Sequence, residues 1–162
     1  MWRKVYSFGD HERDRWVAEQ ARSIPPGSRV LDVGAGPCRY RPLFAHCHYV
    51  AQDFCAHEPT AFGSMNEVGS WSYGTIDHVS DAAAIPVPDA SFDAIVCTEV
   101  LEHVAEPIPV VTELARILRP GGKLILTAPL GSGLHQEPDH YYGGFTPYWY
   151  NRFLHAAGFE KI

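Results

Sequence analysis

The sequence predicts an α/β protein with a mostly parallel sheet between two layers of helices. Three observations carry this. Strand-length apolar runs alternate with segments of helical period. The first such run, Arg29 to Val33, leads directly into Gly34-Ala35-Gly36. The second ends on an acid, Asp53, 17 residues beyond Gly36. A chain of 162 residues and 18.0 kDa fits one domain. At that size it buries roughly 70% of its unfolded surface without disulfide support. A hydrophobic content of 46% argues against disorder. No apolar run approaches the ~18 residues of a membrane span. The first residues, MWRKVYSFGDHERDRW, lack a signal-peptide core. A cytoplasmic protein without membrane attachment is therefore expected.

Taken in order, residues 8–24 read as an amphipathic helix in which Trp16 and Val17 pair with Gln20, Ala21 and Ile24. Pro25, Pro26 and Gly27 stop it. Residues 1–27 thus form an N-terminal helical segment, and 28–162 the main domain. Arg29 to Val33 is the first strand; a short helix around Arg39 to Ala45 is weakened by Pro42; His48 to Asp53 is the second strand. Residues 54–75 have no clear period, with Phe62, Met65 and Trp71 as isolated apolar anchors, and read as loop. Ile76 to Val79 suits a brief strand. Phe92 to Thr98 is a buried strand. Pro107 to Leu118 is a helix with Val110, Val111, Leu114, Ile117 and Leu118 on one side. Arg119-Pro120-Gly121-Gly122 ends it, and Lys123 to Ala128 is the next strand. After a Gly/His-rich linker, Thr146 caps a helix from Pro147 to Ala157. Gly158 stops that helix, and Phe159 to Ile162 starts a strand.

The formal charge of −6 is unevenly spread. Between Arg41 and Arg116 there is no Lys or Arg, against eleven Asp and Glu. If that stretch lines a cleft, the cleft suits a cationic or neutral ligand. A solvated acidic face is the plainer alternative. Polyanionic partners are disfavoured, because their affinity leans on clustered Lys and Arg. Asp10, Glu12 and Asp14 alternate with Arg13 and Arg15, which reads as a solvated helix face. None of Cys38, Cys47, Cys55 and Cys97 forms a CxxC pair, and Cys47 and Cys97 sit in apolar segments as buried small hydrophobes. His46, Cys47, His48, Cys55 and His57 match no standard zinc spacing, so no metal site is expected.

The glycine loop and the acid after the second strand are two nucleoside-binding features in register. Glycines allow a tight turn and close backbone approach. An acid at the end of the next strand can accept from vicinal ribose hydroxyls. A purely structural turn is the alternative for the loop alone. The dinucleotide fingerprint fails, since its third glycine position is Arg39, and no G-K-[ST] sequence exists for a phosphate loop.

These blocks, in this order, resemble the class I S-adenosylmethionine-dependent methyltransferases. The resemblance is carried by Leu31-Asp32-Val33-Gly34-Ala35-Gly36, by Asp53, by Asp81-Ala82 with Ile85-Pro86, by Ser91-Phe92-Asp93, by Glu99-Val100-Leu101-Glu102-His103 and by Leu118-Arg119-Pro120-Gly121-Gly122. It runs from Arg29 to about Pro129 and implies a Rossmann-like three-layer α/β/α sandwich using S-adenosyl-L-methionine. By that resemblance Asp32, Gly34 and Gly36 contact the methionine part, Asp53 holds the ribose and Phe54 packs beside the adenine. Asp81 accepts from the adenine amino group, Ala82 offers its N–H, and Glu99 lies beside the methionine end. The sequence departs at Pro37-Cys38, where many relatives carry a further glycine, which leaves the loop shape open.

Methyl transfer from a sulfonium has an excellent leaving group, so positioning and desolvation carry much of the rate. A base helps when the acceptor is a hydroxyl or protonated amine. His103 is one candidate, with a structural or pocket-wall role as the alternative. His135, His140, Tyr141 and Tyr142 follow the fifth strand, in a segment expected to overhang the acceptor; an ordinary solvated loop is the alternative. Trp149, Tyr150, Phe153 and Leu154 read as core anchors, and Trp2 and Tyr6 as an N-terminal lid or a frayed end. A small-molecule acceptor is expected, with protein or RNA as further options. A non-catalytic cofactor-binding partner and a nicotinamide-linked oxidoreductase are the competing readings. The family fold closes with an antiparallel strand pair, for which residues 159–162 leave too little chain. The expectation is a main domain lacking its last strand, with two alternatives: the chain is truncated at its C-terminus, or a homodimer partner or other subunit covers that edge.

Overall fold

The computed structural model describes residues 8–56 and 72–160. The expected anchors Phe62, Met65 and Trp71, the N-terminal lid residues Trp2 and Tyr6, and His57 lie outside the described residues, as do residues 161–162.

The elements are helix α1 (Phe8–Arg22), strand β1 (Arg29–Val33), a 3-10 turn (Arg41–Phe44), β2 (His48–Asp53), β3 (His78–Val79) and β4 (Phe92–Thr98). A second 3-10 turn (Leu101–His103), α2 (Pro107–Ile117), β5 (Leu118–Thr127) and α3 (Pro147–Ala156) follow. The described strands form one sheet in the order β3-β2-β1-β4-β5, and every neighbouring pair is parallel. The chain runs outward from β1 through β2 to β3, then crosses back to place β4 on the other side of β1. The gap between β1 and β4 is therefore the switch point at which open α/β sheets bind ligands, beyond the carboxyl ends of the strands.

Alternation along the strands divides the core in two. Val30, Ala94, Val96 and Ile125 face α1 and pack with Val17, Ala21, Ile24 and Phe44. Leu31, Val33, Ile95 and Cys97 face the other way and pack with Val110, Leu114 and Ile117 of α2 and Leu154 of α3. Because successive strand residues point to opposite faces, two apolar cores follow from near-continuous apolar strands. Trp16 stands outside the first core at 40% exposure, although its spacing placed it on the apolar side of α1. Thr146 caps α3 as expected: its hydroxyl accepts from the Trp149 N–H over 3.3 Å, with Pro147 at the first helical position.

Three boundaries differ from the sequence reading. The 3-10 turn at Arg41–Phe44 replaces the longer helix expected at Arg39 to Ala45, with Pro42 in its first turn. β5 begins at Leu118, five residues before the expected Lys123. Leu118 pairs with Phe92 and Lys123 with Ala94, so residues 119–122 bulge out of register. Two features hold that bulge. Gly121 has φ +76, and a Cβ on Gly122 would come within 2.9 Å of the Asp93 carbonyl oxygen. Arg119 pairs with the Asp93 carboxylate and donates to Ala90 O at 3.2 Å. Finally, Phe159 packs against the α2 and α3 core without strand pairing, where the sequence suggested that a strand starts.

Candidate active site

The backbone at the carboxyl end of β1 turns because its glycines take left-handed conformations: Gly34 has φ +66 and Gly36 φ +49. A Cβ on Gly34 would lie 2.4 Å from Val100 Cγ2. The loop thus passes as close to the β4 exit as bare backbone allows. Cys38, where the sequence departs from the glycine pattern, also has positive φ, +57, and donates its N–H to Ala35 O over 2.7 Å. A left-handed residue is present there without glycine. Cys38 is buried, while Cys47, expected in the interior, is half-buried.

The loop is tied to β2 by two residues in succession. Gly36 N–H donates to Asp53 Oδ2 at 2.8 Å, and Cys55 N–H donates to Asp53 Oδ1 at 2.8 Å. Buried Gln52 receives the Gly34 N–H on its side-chain oxygen at 3.4 Å and donates to Ser80 O at 2.6 Å. Gln52 thereby links the ends of β1 and β3. Nothing in its residue type announced that role; burial of a polar side chain at a strand end is the signal, and only the fold reveals it.

Beyond these strand ends lies a cavity of about 900 Å³. All eight residues expected to touch a cofactor line it: Asp32, Gly34, Gly36, Asp53, Phe54, Asp81, Ala82 and Glu99. Phe54 is 65% exposed, an apolar ring standing at the cavity wall. Asp81 accepts the Ala83 N–H over 2.8 Å, which fixes the turn after β3. Asp32 is buried and accepts the Tyr49 hydroxyl. Its desolvation outweighs that hydrogen bond, and the Asp53 charge adds to it, so its carboxyl is pushed up to about 7. The same burial drives the Tyr49 hydroxyl up as well.

Glu99 has φ +54, a left-handed conformation that a non-glycine residue adopts at a cost. Its N–H donates to Thr127 O at 3.0 Å, and Thr127 Oγ1 donates to Glu99 Oε1 at 2.9 Å. Its other oxygen faces Arg13 Nη1 at 3.4 Å. This corrects the reading of α1 as a solvated face. Arg13 and Arg39 both line the cavity, Arg13 also donates to the Tyr40 hydroxyl at 3.2 Å, and Asp14 pairs with Arg39. Among the described residues of that face, Arg15, paired with Glu12 at 2.6 Å, is the surface pair expected. The cavity keeps an acidic wall, with bases brought to it from outside the base-free stretch.

The acceptor-side candidates separate. His103, His135 and Tyr141 line the cavity; His140 stands behind them, its ring centroid 4.5 Å from that of His135. Tyr142 does not line the cavity; its hydroxyl donates to Ala105 O at 2.8 Å. The segment is anchored to the second 3-10 turn. Tyr141 and Tyr142 N–H both reach Glu102 O, at 2.8 and 3.2 Å, and His103 Nδ1 donates to Asp139 O at 2.6 Å. The Glu102 side chain is wholly buried, and burial pushes its carboxyl up to about 7.

A glycine loop at the switch point, an acid fixed at the end of the neighbouring strand and an acidic cavity define a nucleoside-binding α/β domain. Residues 31–126 match the family described as methyltransferase domain, and the chain belongs to that family. A demethylmenaquinone methyltransferase from Renibacterium salmoninarum is 36% identical over 125 residues, covering 75% of this chain and 50% of that protein. The structure of YcgJ from Bacillus subtilis superposes with a TM-score of 0.69 at 20% identity, covering 91% of this chain and 68% of that one. Phosphoethanolamine N-methyltransferase 2 from Haemonchus contortus, in complex with S-adenosyl-L-methionine, has a TM-score of 0.62 at 17% identity, covering 91% and 36%. The structural likenesses show the fold. The chain spans about half the length of the first curated relatives it matches. Among the described residues no helix is long and apolar enough to cross a membrane.

Proposed function

We propose that the chain carries an S-adenosylmethionine-dependent methyltransferase activity toward a small-molecule acceptor. The observation that carries this reading is the Gly36–Asp53 hydrogen bond, which joins the glycine loop to the strand-end acid at the cavity wall. The residues present fit the cofactor. A Cβ would fill the approach at Gly34, and the acids suit a ligand bearing an ammonium and a sulfonium. When bound, that cofactor supplies an electrophilic methyl group on sulfur.

The chain's own residues supply position and exclusion of water. Each Asp53 oxygen accepts one backbone N–H and keeps a second lone pair, so the carboxylate can hold two adjacent hydroxyls without giving up its anchor. Phe54 offers an apolar face and Asp81 an acceptor for a purine-like ring. Asp32 and Glu99 supply negative charge behind the loop. His103, His135 and Tyr141 border the acceptor side, where a neutral imidazole can take a proton from a hydroxyl or ammonium. Likeness to a methyltransferase named for a quinone precursor supports a small acceptor. We read residues 28–162 as the catalytic domain and 1–27 as its helical N-terminal segment, working in the cytoplasm. β5 has no strand on its outer side among the described residues, which suits a second subunit there.

Calorimetry with S-adenosylmethionine, S-adenosylhomocysteine and NAD tests the cofactor, and a labelled-methyl screen over phenols, amines and carboxylates tests the acceptor. Binding of the first two ligands without NAD is expected. Binding of NAD alone would overturn the reading, and cofactor binding without transfer to any acceptor would favour a non-catalytic partner.

A further inference from the structure

The structure assigns to Glu102, His103 and His135 a binding site for a first-row divalent metal ion of the zinc type. It lies beside the cavity, and the inference does not depend on which cofactor the cavity takes. One donor atom from each of the three residues lies within 4.8 Å of the other two. His103 Nε2 is 3.9 Å from Glu102 Oε1. His103 and His135 reach this point from segments 32 residues apart in sequence, which is why spacing alone led to the expectation of no metal.

Three independent features make this more than a meeting of polar groups. The first is the tautomer of both imidazoles. His103 Nδ1 is 2.6 Å from Asp139 O, and His135 Nδ1 is 2.9 Å from Gly133 O. A carbonyl oxygen can only accept, so each Nδ1 carries a proton, and in the neutral ring the lone pair is on Nε2. Metal-ligating histidines are held in this way, by a hydrogen bond from the other ring nitrogen. The second is Glu102. Its side chain is fully buried, and neither carboxylate oxygen has a hydrogen-bond partner among the described residues. A buried carboxylate left so is costly unless a cation compensates it. The third is His140, whose Nδ1 is also buried without a hydrogen-bond partner among the described residues and whose ring lies against that of His135. Two imidazoles and one carboxylate form a donor set that zinc and its neighbours bind with coordination positions left open. Magnesium and calcium prefer all-oxygen sets.

The site borders the cavity through His103 and His135, so an ion there would take the Nε2 lone pairs that could otherwise accept a proton, and could hold an oxygen or nitrogen of a second ligand at the acceptor end.

The test is calorimetric titration of the chelator-treated 162-residue protein with Zn²⁺, and spectroscopic titration with Co²⁺. One ion per chain is expected, with the visible absorption of a four- or five-coordinate Co²⁺ site. His135→Ala should weaken binding by at least about tenfold and abolish that absorption. Glu102→Gln, nearly isosteric, should weaken binding similarly while circular dichroism reports an unchanged fold. His155→Ala, on the exposed face of α3, should change nothing. Absence of a bound ion, binding unaltered in both His135→Ala and Glu102→Gln, or displacement of Zn²⁺ by equimolar Mg²⁺ would each overturn the assignment. Zn²⁺ binding without S-adenosylmethionine binding would sink the proposed function and leave the metal site standing; the reverse pattern would do the opposite.

Discussion

The Asp53 carboxylate accepts the Gly36 N–H across 2.8 Å, so the loop after β1 and the acid ending β2 form one unit. Asp53→Ala removes that bond and the one from Cys55 N–H together. Hydrogen bonds to a charged partner contribute about 1.5–3 kcal/mol each, and a lost contact to a ligand hydroxyl adds to this. S-Adenosylmethionine affinity should fall by at least about tenfold in calorimetry, and thermal stability should fall clearly as well, because both lost bonds lie within the chain. Unchanged affinity would refute the role given to Asp53.

Gly34→Ala combines two costs. The left-handed conformation penalises a Cβ by about 1–2 kcal/mol, and the new methyl would meet Val100 Cγ2 at 2.4 Å. A clear drop in melting temperature and a loss of cofactor binding are expected. Because the clash is with a side-chain methyl, adding Val100→Ala should restore part of the stability and leave the backbone cost in place. A Gly34→Ala protein as stable as the parent would show that the turn tolerates a side chain.

Asp32 makes stability depend on pH. Its carboxyl has the ordinary value of 3.8 when unfolded and is pushed up to about 7 when folded, with burial as the main cause. Between those values the folded state binds more protons than the unfolded state. The Asp32 contribution is therefore complete below pH ~4 and is lost as pH rises through about 7. A shift of this size corresponds to at most about 4 kcal/mol. Melting temperatures of the parent and Asp32→Asn, compared between pH 4 and 8, should diverge with rising pH, the variant being the flatter. Binding of a cationic ligand should show the opposite trend in the parent, tightening as Asp32 ionises. Parallel pH profiles for the two proteins would contradict this.

Arg13 and Glu99 face each other at 3.4 Å across a part-exposed wall of the cavity. Arg13→Ala should cost about 1–2 kcal/mol of stability, since it removes both the pair with Glu99 and the hydrogen bond to the Tyr40 hydroxyl. It removes a positive charge from the cavity and frees a Glu99 oxygen. Affinity for S-adenosylmethionine should rise a few-fold at low salt, and the gain should shrink as salt screens it. Weaker binding would assign Arg13 a direct part in holding the ligand.

Leu114 of α2 is fully buried against β4 and β5. Leu114→Ala should cost about 2–5 kcal/mol in denaturant unfolding, since the site sits between a helix and a sheet and cannot collapse freely. A cost below about 1 kcal/mol would show a looser core than the packing implies.

Much of this arrangement was legible in the residues because the signals are local. β1, β2 and β4 coincide with their apolar runs, and Thr146-Pro147 marks the start of α3. The cofactor-side residues stand in short blocks whose order mirrors the strand order, so they could be named individually. Local signals failed where the partner is distant. Arg13 and Asp14 have the composition of a surface helix, and only the docking of α1 against the 3-10 turn turns them toward Tyr40, Arg39 and Glu99. The early start of β5 depends on Leu118 finding Phe92, a pairing that a helix-ending Arg-Pro-Gly-Gly sequence conceals.

By itself the sequence determined the α/β class, the glycine turn and the acid at the second strand end, because strand period, left-handed glycines and short spacings are properties of neighbouring residues. The tertiary structure alone decided which bases reach the acidic cavity, which of four loop residues face it, and that Glu102, His103 and His135 meet. Those relations join segments tens of residues apart, and they exist only once the parallel sheet has brought its strand ends and loops to one edge.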